Sequence, residues 1–282
     1  HSVSQSLAGR SAVFHLLPMS LSELEGFEES PSSMWDAVLR GGYPAVYQRP
    51  GSADEWLASY IATYVERDIM QIRSVHDLDV FRRFLRLAAA RTATLTNANA
   101  LGADVGVDQK TARAWLGVLA GTWLAHQLPA WHRNIGKRLV KSPKLHFFDT
   151  GIVCALLGIR TVEQLEVHPL RGALFETWVV SELYKSWSWH LPGSPPMMHL
   201  SQNRRIEADV LLETASQTLV VEVKSGQTIA GSWIRNIEKA AELVRAGGSN
   251  ARAAIVYGGT DPQRRSGVTA LPWSEAARLV RD

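Results

Sequence analysis

Residues 205–224 read Arg-Ile-Glu-Ala-Asp-Val-Leu-Leu-Glu, then a short polar break, then Thr-Leu-Val-Val-Glu-Val-Lys. β-Branched and apolar residues dominate both halves, and the break Thr214 to Gln217 is turn-like, so the stretch predicts two strands. Successive side chains of a strand point to opposite faces, which sorts the residues. In the first strand Ile206, Ala208, Val210 and Leu212 share one face, and Glu207 and Asp209 share the other. In the second, Leu219, Val221 and Val223 oppose Val220, Glu222 and Lys224. Paired as a hairpin, the strands bring Asp209 beside Glu222 and Lys224. Two carboxylates and an amine then meet at one point of a sheet.

That combination suits divalent-metal chemistry. Carboxylates are the hard oxygen ligands Mg²⁺ prefers, and Mg²⁺ usually keeps several waters. A bound metal lowers the pKa of such a water and screens the charge of a phosphodiester. A lysine beside it can orient the water or stabilise charge that develops in the transition state. The pattern of Asp209 followed on the next strand by Glu222-Val223-Lys224 resembles the PD-(D/E)XK nuclease superfamily, although the proline that the name places before the aspartate is absent. The resemblance implies Mg²⁺ or Mn²⁺ as cofactor. Asp209 and Glu222 would be metal ligands, and Lys224 would position or activate water. A plain surface strand with alternating charges produces the same short pattern, so the flanking sequence has to carry weight.

At 282 residues the chain has room for two domains. Its apolar fraction of 46% and charged fraction of 20% are those of a globular protein. Net charge is only +3, so any case for a nucleic-acid partner rests on local clustering. Cys154 stands alone, which excludes a disulfide framework or a cysteine zinc site and fits a reducing cytoplasm. No apolar run has the length of a membrane span, and no signal peptide is expected. No Gly-x-Ser-x-Gly elbow marks an acyl-transfer nucleophile. His126, His132 and His146 have no metal-ligand spacing and read as ordinary histidines.

The remaining marks occur in a characteristic order. Ser6-Leu-Ala-Gly-Arg10, an apolar strand Ala12 to Leu17 and Pro18-Met-Ser-Leu-Ser-Glu23 come first. Gly41-Gly-Tyr-Pro44 and Tyr60-Ile-Ala-Thr-Tyr-Val-Glu-Arg-Asp-Ile69 follow. Then come Lys141-Ser-Pro-Lys-Leu-His-Phe-Phe-Asp-Thr-Gly151 and Gly172-Ala-Leu-Phe-Glu176, ahead of the two strands above. The series resembles the C-terminal half of a bacterial and archaeal family of AAA-type ATP-binding proteins, a region described as a domain of unknown function. No Gly-x-x-x-x-Gly-Lys-Ser/Thr run is present to wrap phosphates, and no acidic strand that would hold Mg²⁺ for ATP is recognisable. The resemblance therefore implies the C-terminal part of such a protein, or a relative without its ATPase. ATP binding is not expected of this chain, and an AAA-type ATPase module is expected as a partner in cis or in trans. Arg10 matches an arginine that would face nucleotide in complete members.

Four segments are expected: residues 1–30 as the remnant of an ATPase core, 31–78 as a helical connector, 79–151 as a winged helix, and 168–282 as a nuclease-like domain. The connector helix, residues 54–72, places Leu57, Tyr60, Ile61, Tyr64 and Asp68 along one side. It reads as an amphipathic element packing its aromatics, with Glu66, Arg67 and Asp68 as an ion cluster. In the third segment Phe81, Phe84, Leu85 and Ala88 mark a first helix, and a second lies near Asn97 to Val105. Gly106 supplies the turn, and Asp108 caps a third helix with Ala112, Trp115, Leu116 and Leu119 on one face. Trp123 to Trp131 and Leu139 to Phe148 would form the wing. In DNA-binding winged helices the third helix enters the major groove by its N-terminal end, here Gln109, Lys110 and Arg113. The wing adds Arg133, Lys137, Arg138, Lys141 and Lys144, a run able to neutralise several phosphates. A solvated basic loop on a protein-binding module has the same composition.

Gly172 to Trp187 reads as a helix, Met197 to Ser201 as a strand, Ile234 to Val244 as a helix and Arg252 to Tyr257 as a strand. With the two organising strands this is the αβββαβ order of the restriction-endonuclease-like fold. Glu176 matches the carboxylate that many members carry on the first core helix, and is expected as a third metal ligand. Glu182 matches a second family position, but the two lie about 240° apart around a helix and cannot share one site. The expected fold is thus α+β or α/β: a helical connector and winged helix followed by an αβββαβ domain. The expected function is metal-dependent cleavage of a nucleic acid, DNA in the first place. The rival is a non-catalytic DNA- or protein-binding effector of the ATPase, because function lives in the site and not in the fold.

Overall fold

The computed structural model describes residues 15–48, 53–63, 77–132, 142–191, 193–202, 205–214 and 216–281. Arg10, Tyr64, Glu66, Arg67, Asp68, Arg133, Lys137, Arg138 and Lys141 lie outside them. The chain forms a mixed α+β structure whose principal sheet has six strands.

The N-terminal part is helical: α1 (Leu21–Leu24), α2 (Met34–Arg40), α3 (Pro44–Gln48) and α4 (Ala53–Tyr60). Leu57 and Ile61 are buried, and Tyr43, Trp56 and Tyr60 pack ring against ring. The strand expected over Ala12 to Leu17 is not formed over its described part. His15 to Leu17 have no ladder partner among the described residues, and Leu16 is fully exposed. A strand without a neighbour leaves its backbone groups to water and has little to hold it extended.

α5 (Leu78–Ala90) buries Phe81, Phe84, Leu85, Ala88 and Ala89, one stripe at helical spacing. α6 (Ala98–Val105) ends on Gly106, whose φ of +80° is the left-handed conformation a glycine adopts without penalty. α7 (Gln109–Gly121) starts at Asp108, whose side chain accepts the Thr111 N–H at 2.7 Å, and buries Ala112, Trp115, Leu116 and Leu119. β1 (Thr94–Leu95), β2 (Ala125–Leu128) and β3 (Lys144–Phe147) form a small antiparallel sheet with β3 in the middle. Its register sets Leu128 opposite Lys144 on one side and Leu95 opposite Lys144 on the other. α8 (Thr150–Leu157) and α9 (Val162–Val167) lead to α10 (Arg171–His190).

The six-stranded sheet follows, in the order β4-β5-β6-β7-β9-β8. β4 (Met197–Gln202), β5 (Ile206–Glu213) and β6 (Thr218–Lys224) run antiparallel in turn, and α11 (Gly231–Ala246) carries the chain to β7 (Ala251–Tyr257), parallel to β6. β8 (Gln263–Arg265) and β9 (Val268–Pro272) add a hairpin that the sequence reading omitted. Its turn, Ser266-Gly267, has φ of +50° and +84°, a geometry that matches the twist of the strands it joins. A short α12 (Arg278–Arg281) ends the described chain. One face of the sheet packs Val210, Leu212, Leu219, Val221 and Val223 into a core shared with Leu174, Phe175 and Val179 of α10. The other packs Ala208, Leu211 and Val220 against Ile237, Ala241 and Val244 of α11.

The face assignment of β5 needs a correction. Ala208 does not share a face with Val210 and Leu212. Met198 pairs with Leu211 and Leu200 with Ala208, so Asp209 and Val210 both stand opposite His199. This is a β-bulge: one extra residue on β5 breaks the strict alternation and re-aims the side chains beside it.

Candidate functional site

The bulge explains where Asp209 goes. β5 and β6 pair from Glu213↔Thr218 only as far as Val210↔Val221. One residue beyond, the Asp209 carboxylate takes over from the ladder, its Oδ2 accepting the Val223 N–H at 2.9 Å. Its Oδ1 accepts from Lys144 Nζ at 3.2 Å, and the same ammonium donates to Glu176 Oε1 at 2.7 Å. Glu222 and Lys224, two apart on β6, pair with each other at 2.5 Å. Glu176, Asp209, Glu222 and Lys224 are thus drawn from α10, β5 and β6 into one polar cluster. Lys144 of β3 is added to it. The carboxylates are 12–15% exposed and Lys144 17%, while the Lys224 side chain, at 36%, is the most open member.

Desolvation dominates the electrostatics. Burial pushes the Glu176 carboxyl up to about 8, with Asp209's negative charge adding to the rise against Lys144 and Lys224. Burial and Asp209 likewise bring Glu222 to about 7, opposed by Lys224 and Lys144. Burial alone would lower the lysines, but Asp209 and Glu176 outweigh it at Lys144, and Asp209 and Glu222 outweigh it at Lys224. Three acids facing two ammonium groups in a largely buried cluster carry an excess of one negative charge when all are ionised. A proton held on Glu176 or Glu222 near neutral pH removes it.

A second layer sits behind Glu176. His146 is fully buried, and its Nδ1 lies 3.3 Å from Thr177 Oγ1, which is 2.7 Å from Thr92 Oγ1. Its Nε2 faces Glu176 Oε1 at 3.8 Å and has no hydrogen-bond partner. Burial holds His126 at about 4 and His146 well below the usual range, so both rings are neutral at physiological pH. They stack at 5.7 Å.

Lys144 is the residue the sequence reading misplaced. It was expected on the phosphate-facing wing with Arg133, Lys137, Arg138 and Lys141; it is instead turned inward onto two carboxylates. The strand it opens offers a signal in retrospect, because Leu145, His146 and Phe147 are apolar or ring-bearing on both faces and all buried. Gln109, Lys110 and Arg113 stand exposed at the start of α7, free of the polar cluster.

Glu182 belongs elsewhere. It forms a buried ion pair with Lys185, and its Oε2 accepts the Leu21 N–H at 2.9 Å, while Lys185 Nζ donates to Met19 O at 2.9 Å. The pair ties the segment before α1 to the far side of α10. Nearby, Asp149 joins two of the sequence marks: its Oδ2 accepts the Gly42 N–H at 2.7 Å and its Oδ1 caps α8 through the Ile152 N–H at 3.0 Å.

The donor set fits a hard divalent ion, being all carboxylate oxygen. The position between Glu176 and Asp209, however, is filled by an ammonium. Among the described residues no group of three or more His, Cys, Asp or Glu side chains is gathered as a metal site would be. No helix among them is long and apolar enough to cross a membrane.

Comparison with known proteins finds similarity to regions described only as domains of unknown function. Residues 171–276 match the family model described as "Domain of unknown function (DUF4143)", and residues 32–163 match "Domain of unknown function (DUF8612)". The cluster's Glu176, Asp209, Glu222 and Lys224 fall in the first match, and Lys144 in the second. The chain is 30% identical over 258 residues to two mycobacterial proteins, the uncharacterized protein Mb2031c of Mycobacterium bovis and the uncharacterized protein Rv2008c of Mycobacterium tuberculosis. The alignments cover 91% of the chain and 55% of each relative, so the chain spans about half the length of the curated relatives it matches. No solved structure matches the chain.

Proposed function

We propose that residues 168–282 form a PD-(D/E)XK-like nuclease domain that hydrolyses phosphodiesters of DNA with Mg²⁺ or Mn²⁺. Residues 79–151 would be a winged helix that engages the substrate, and the whole would be a cytoplasmic effector of an AAA-type ATPase module. One observation carries the reading: Glu176, Asp209, Glu222 and Lys224 come from three separate elements to the point where β5 leaves β6, with a bulge aiming Asp209 into the cluster. A merely solvated charged strand has no use for such a bulge, nor for acids held largely out of water.

Glu176, Asp209 and Glu222 would hold the ion. When bound, it would supply an activated water and screen the phosphodiester charge. The Val223 N–H fixes one Asp209 oxygen, so that carboxylate is oriented before anything binds. Lys224, the most solvent-open member, is suited to orient the attacking water or to stabilise the developing negative charge. Lys110 and Arg113 are exposed where a recognition helix would meet phosphates.

The rival reading has its own observation: Lys144 pairs with two of the carboxylates, as it would in a nuclease fold kept as a binding platform. Thermal unfolding with and without Mn²⁺, together with cleavage assays on single-stranded, duplex and branched DNA, separates the two. Ions that bind the folded site raise the midpoint by mass action. Asp209→Asn should remove most of that rise. Lys224→Ala should keep the rise and lose cleavage. A metal-responsive protein that cuts none of the substrates favours the platform, and cleavage that survives both substitutions refutes this site.

A further inference from the structure

We infer that Lys144 is a built-in cation standing in the metal position between Glu176 and Asp209, so that a divalent ion can enter only as the Lys144 ammonium withdraws. The inference rests on the metal-site reading above and adds a control element to it. Geometry carries it. One nitrogen lies 2.7 Å from Glu176 Oε1 and 3.2 Å from Asp209 Oδ1, bridging carboxylates of a helix and a strand as a metal would. A Mg²⁺ ion seats its oxygens at about 2.0–2.1 Å, so it and the ammonium cannot share that point.

The way Lys144 is held indicates what has to move. β3 is the central strand of its sheet, and Lys144 stands in register with Leu95 on one side and Leu128 on the other. Two ladders fix the backbone, so the exchange is a swing of the side chain on its four-carbon stem. The lysine arrives from the small β1-β3-β2 sheet, while the acids belong to α10 and the large sheet. The resting state of the site therefore depends on how the hairpin strand is seated against α10. A partner that shifts this contact, a nucleic acid on the exposed start of α7 among them, would set how readily the site accepts a metal. Lys144 is in these terms a positioning residue that acts through Glu176 and Asp209.

The test compares wild type with Lys144→Met, which keeps the stem and removes the charge, and Lys144→Arg, which keeps the charge. Mn²⁺ binding is read by calorimetry and metal-free stability by urea unfolding. Lys144→Met should bind Mn²⁺ about tenfold or more tightly, the effect of deleting one competing charge at contact distance, and should be less stable without metal. Lys144→Arg should stay near wild type in both. On the wild-type protein, the acetylation rate of Lys144 read by mass spectrometry should rise several-fold at saturating Mn²⁺, which keeps the inference testable even if Lys144→Met fails to fold. Unchanged Mn²⁺ affinity in Lys144→Met while Asp209→Asn abolishes binding overturns the inference and leaves the metal site standing, as does an acetylation rate indifferent to bound Mn²⁺. Absence of binding in wild type and Lys144→Met alike overturns both, whereas binding that appears only in Lys144→Met supports the inference.

Discussion

Removing the Asp149 carboxylate is the strongest test of how the N-terminal segments are held to the rest of the chain. Asp149 is buried, and it accepts from Gly42 N–H at 2.7 Å and Ile152 N–H at 3.0 Å. The surroundings admit little relaxation. A Cβ on Gly42 would stand 2.3 Å from the Met19 carbonyl oxygen, and one on Gly151 would stand 2.6 Å from the Arg40 carbonyl oxygen. Hydrogen bonds to a charged acceptor contribute about 1.5–3 kcal/mol each, and the Ile152 bond is the helix N-cap itself, so the two together sum to about 3–6 kcal/mol. Against this, burial raises the Asp149 pKa, so its removal also relieves a desolvated charge. Asp149→Ala should therefore cost about 3–4 kcal/mol net, the lower part of the summed range. Asp149→Asn keeps one acceptor oxygen but turns an NH₂ group toward a backbone donor, and should cost about half as much. Urea unfolding reads both, with the midpoint falling at constant m. Asp149→Ala within about 1 kcal/mol of wild type would refute the account, because it would mean that solvent reaches those N–H groups and the segments are not locked.

Two further outcomes are expected. Glu176 and Glu222 bind protons in the folded chain up to about 8 and about 7, against 4.5 for the ordinary carboxyl. The folded state thus holds more protons than the unfolded one across that window, so stability is highest at its acid end and falls as pH rises from about 5 to 8, by at most about 1.4 kcal/mol per pH unit for each group. Urea midpoints at three pH values check this, and Glu176→Gln should flatten the slope. On DNA, Lys110→Ala and Arg113→Ala should each lower the magnitude of the log–log salt dependence of affinity by about 0.9. A salt-independent affinity, measured by fluorescence anisotropy, would favour a protein-binding role for that helix.

What could be read from the sequence, and what could not, divides by the range of the interaction responsible. The Phe81, Phe84, Leu85, Ala88 stripe, the Asp108 cap and the Gly106 turn are each decided within one or two helical turns, and all three are found where local rules put them. Geometry within one helix likewise separates Glu176 from Glu182, since about 240° of rotation sends them to opposite duties. The bulge at Asp209 was illegible because it exists only in the pairing with β4, where His199 faces two residues of β5. Lys144 failed for the same reason at longer range. Among Arg133, Lys137, Arg138 and Lys141 its charge looks like one more phosphate contact, while the partners that capture it lie 32 and 65 residues downstream. A buried lysine must find carboxylates, since an unpaired ammonium out of water is costly. The strand it opens is buried, so its charge had to be answered from inside the protein. Glu176, Asp209 and Glu222 lie close together and largely out of water with Lys144 and Lys224 among them, and a proton on Glu176 or Glu222 offsets the remaining negative charge. On the proposed metal-site reading, an incoming divalent ion would compete with the protein's own charges, and its affinity would report how firmly β3 holds Lys144 in place.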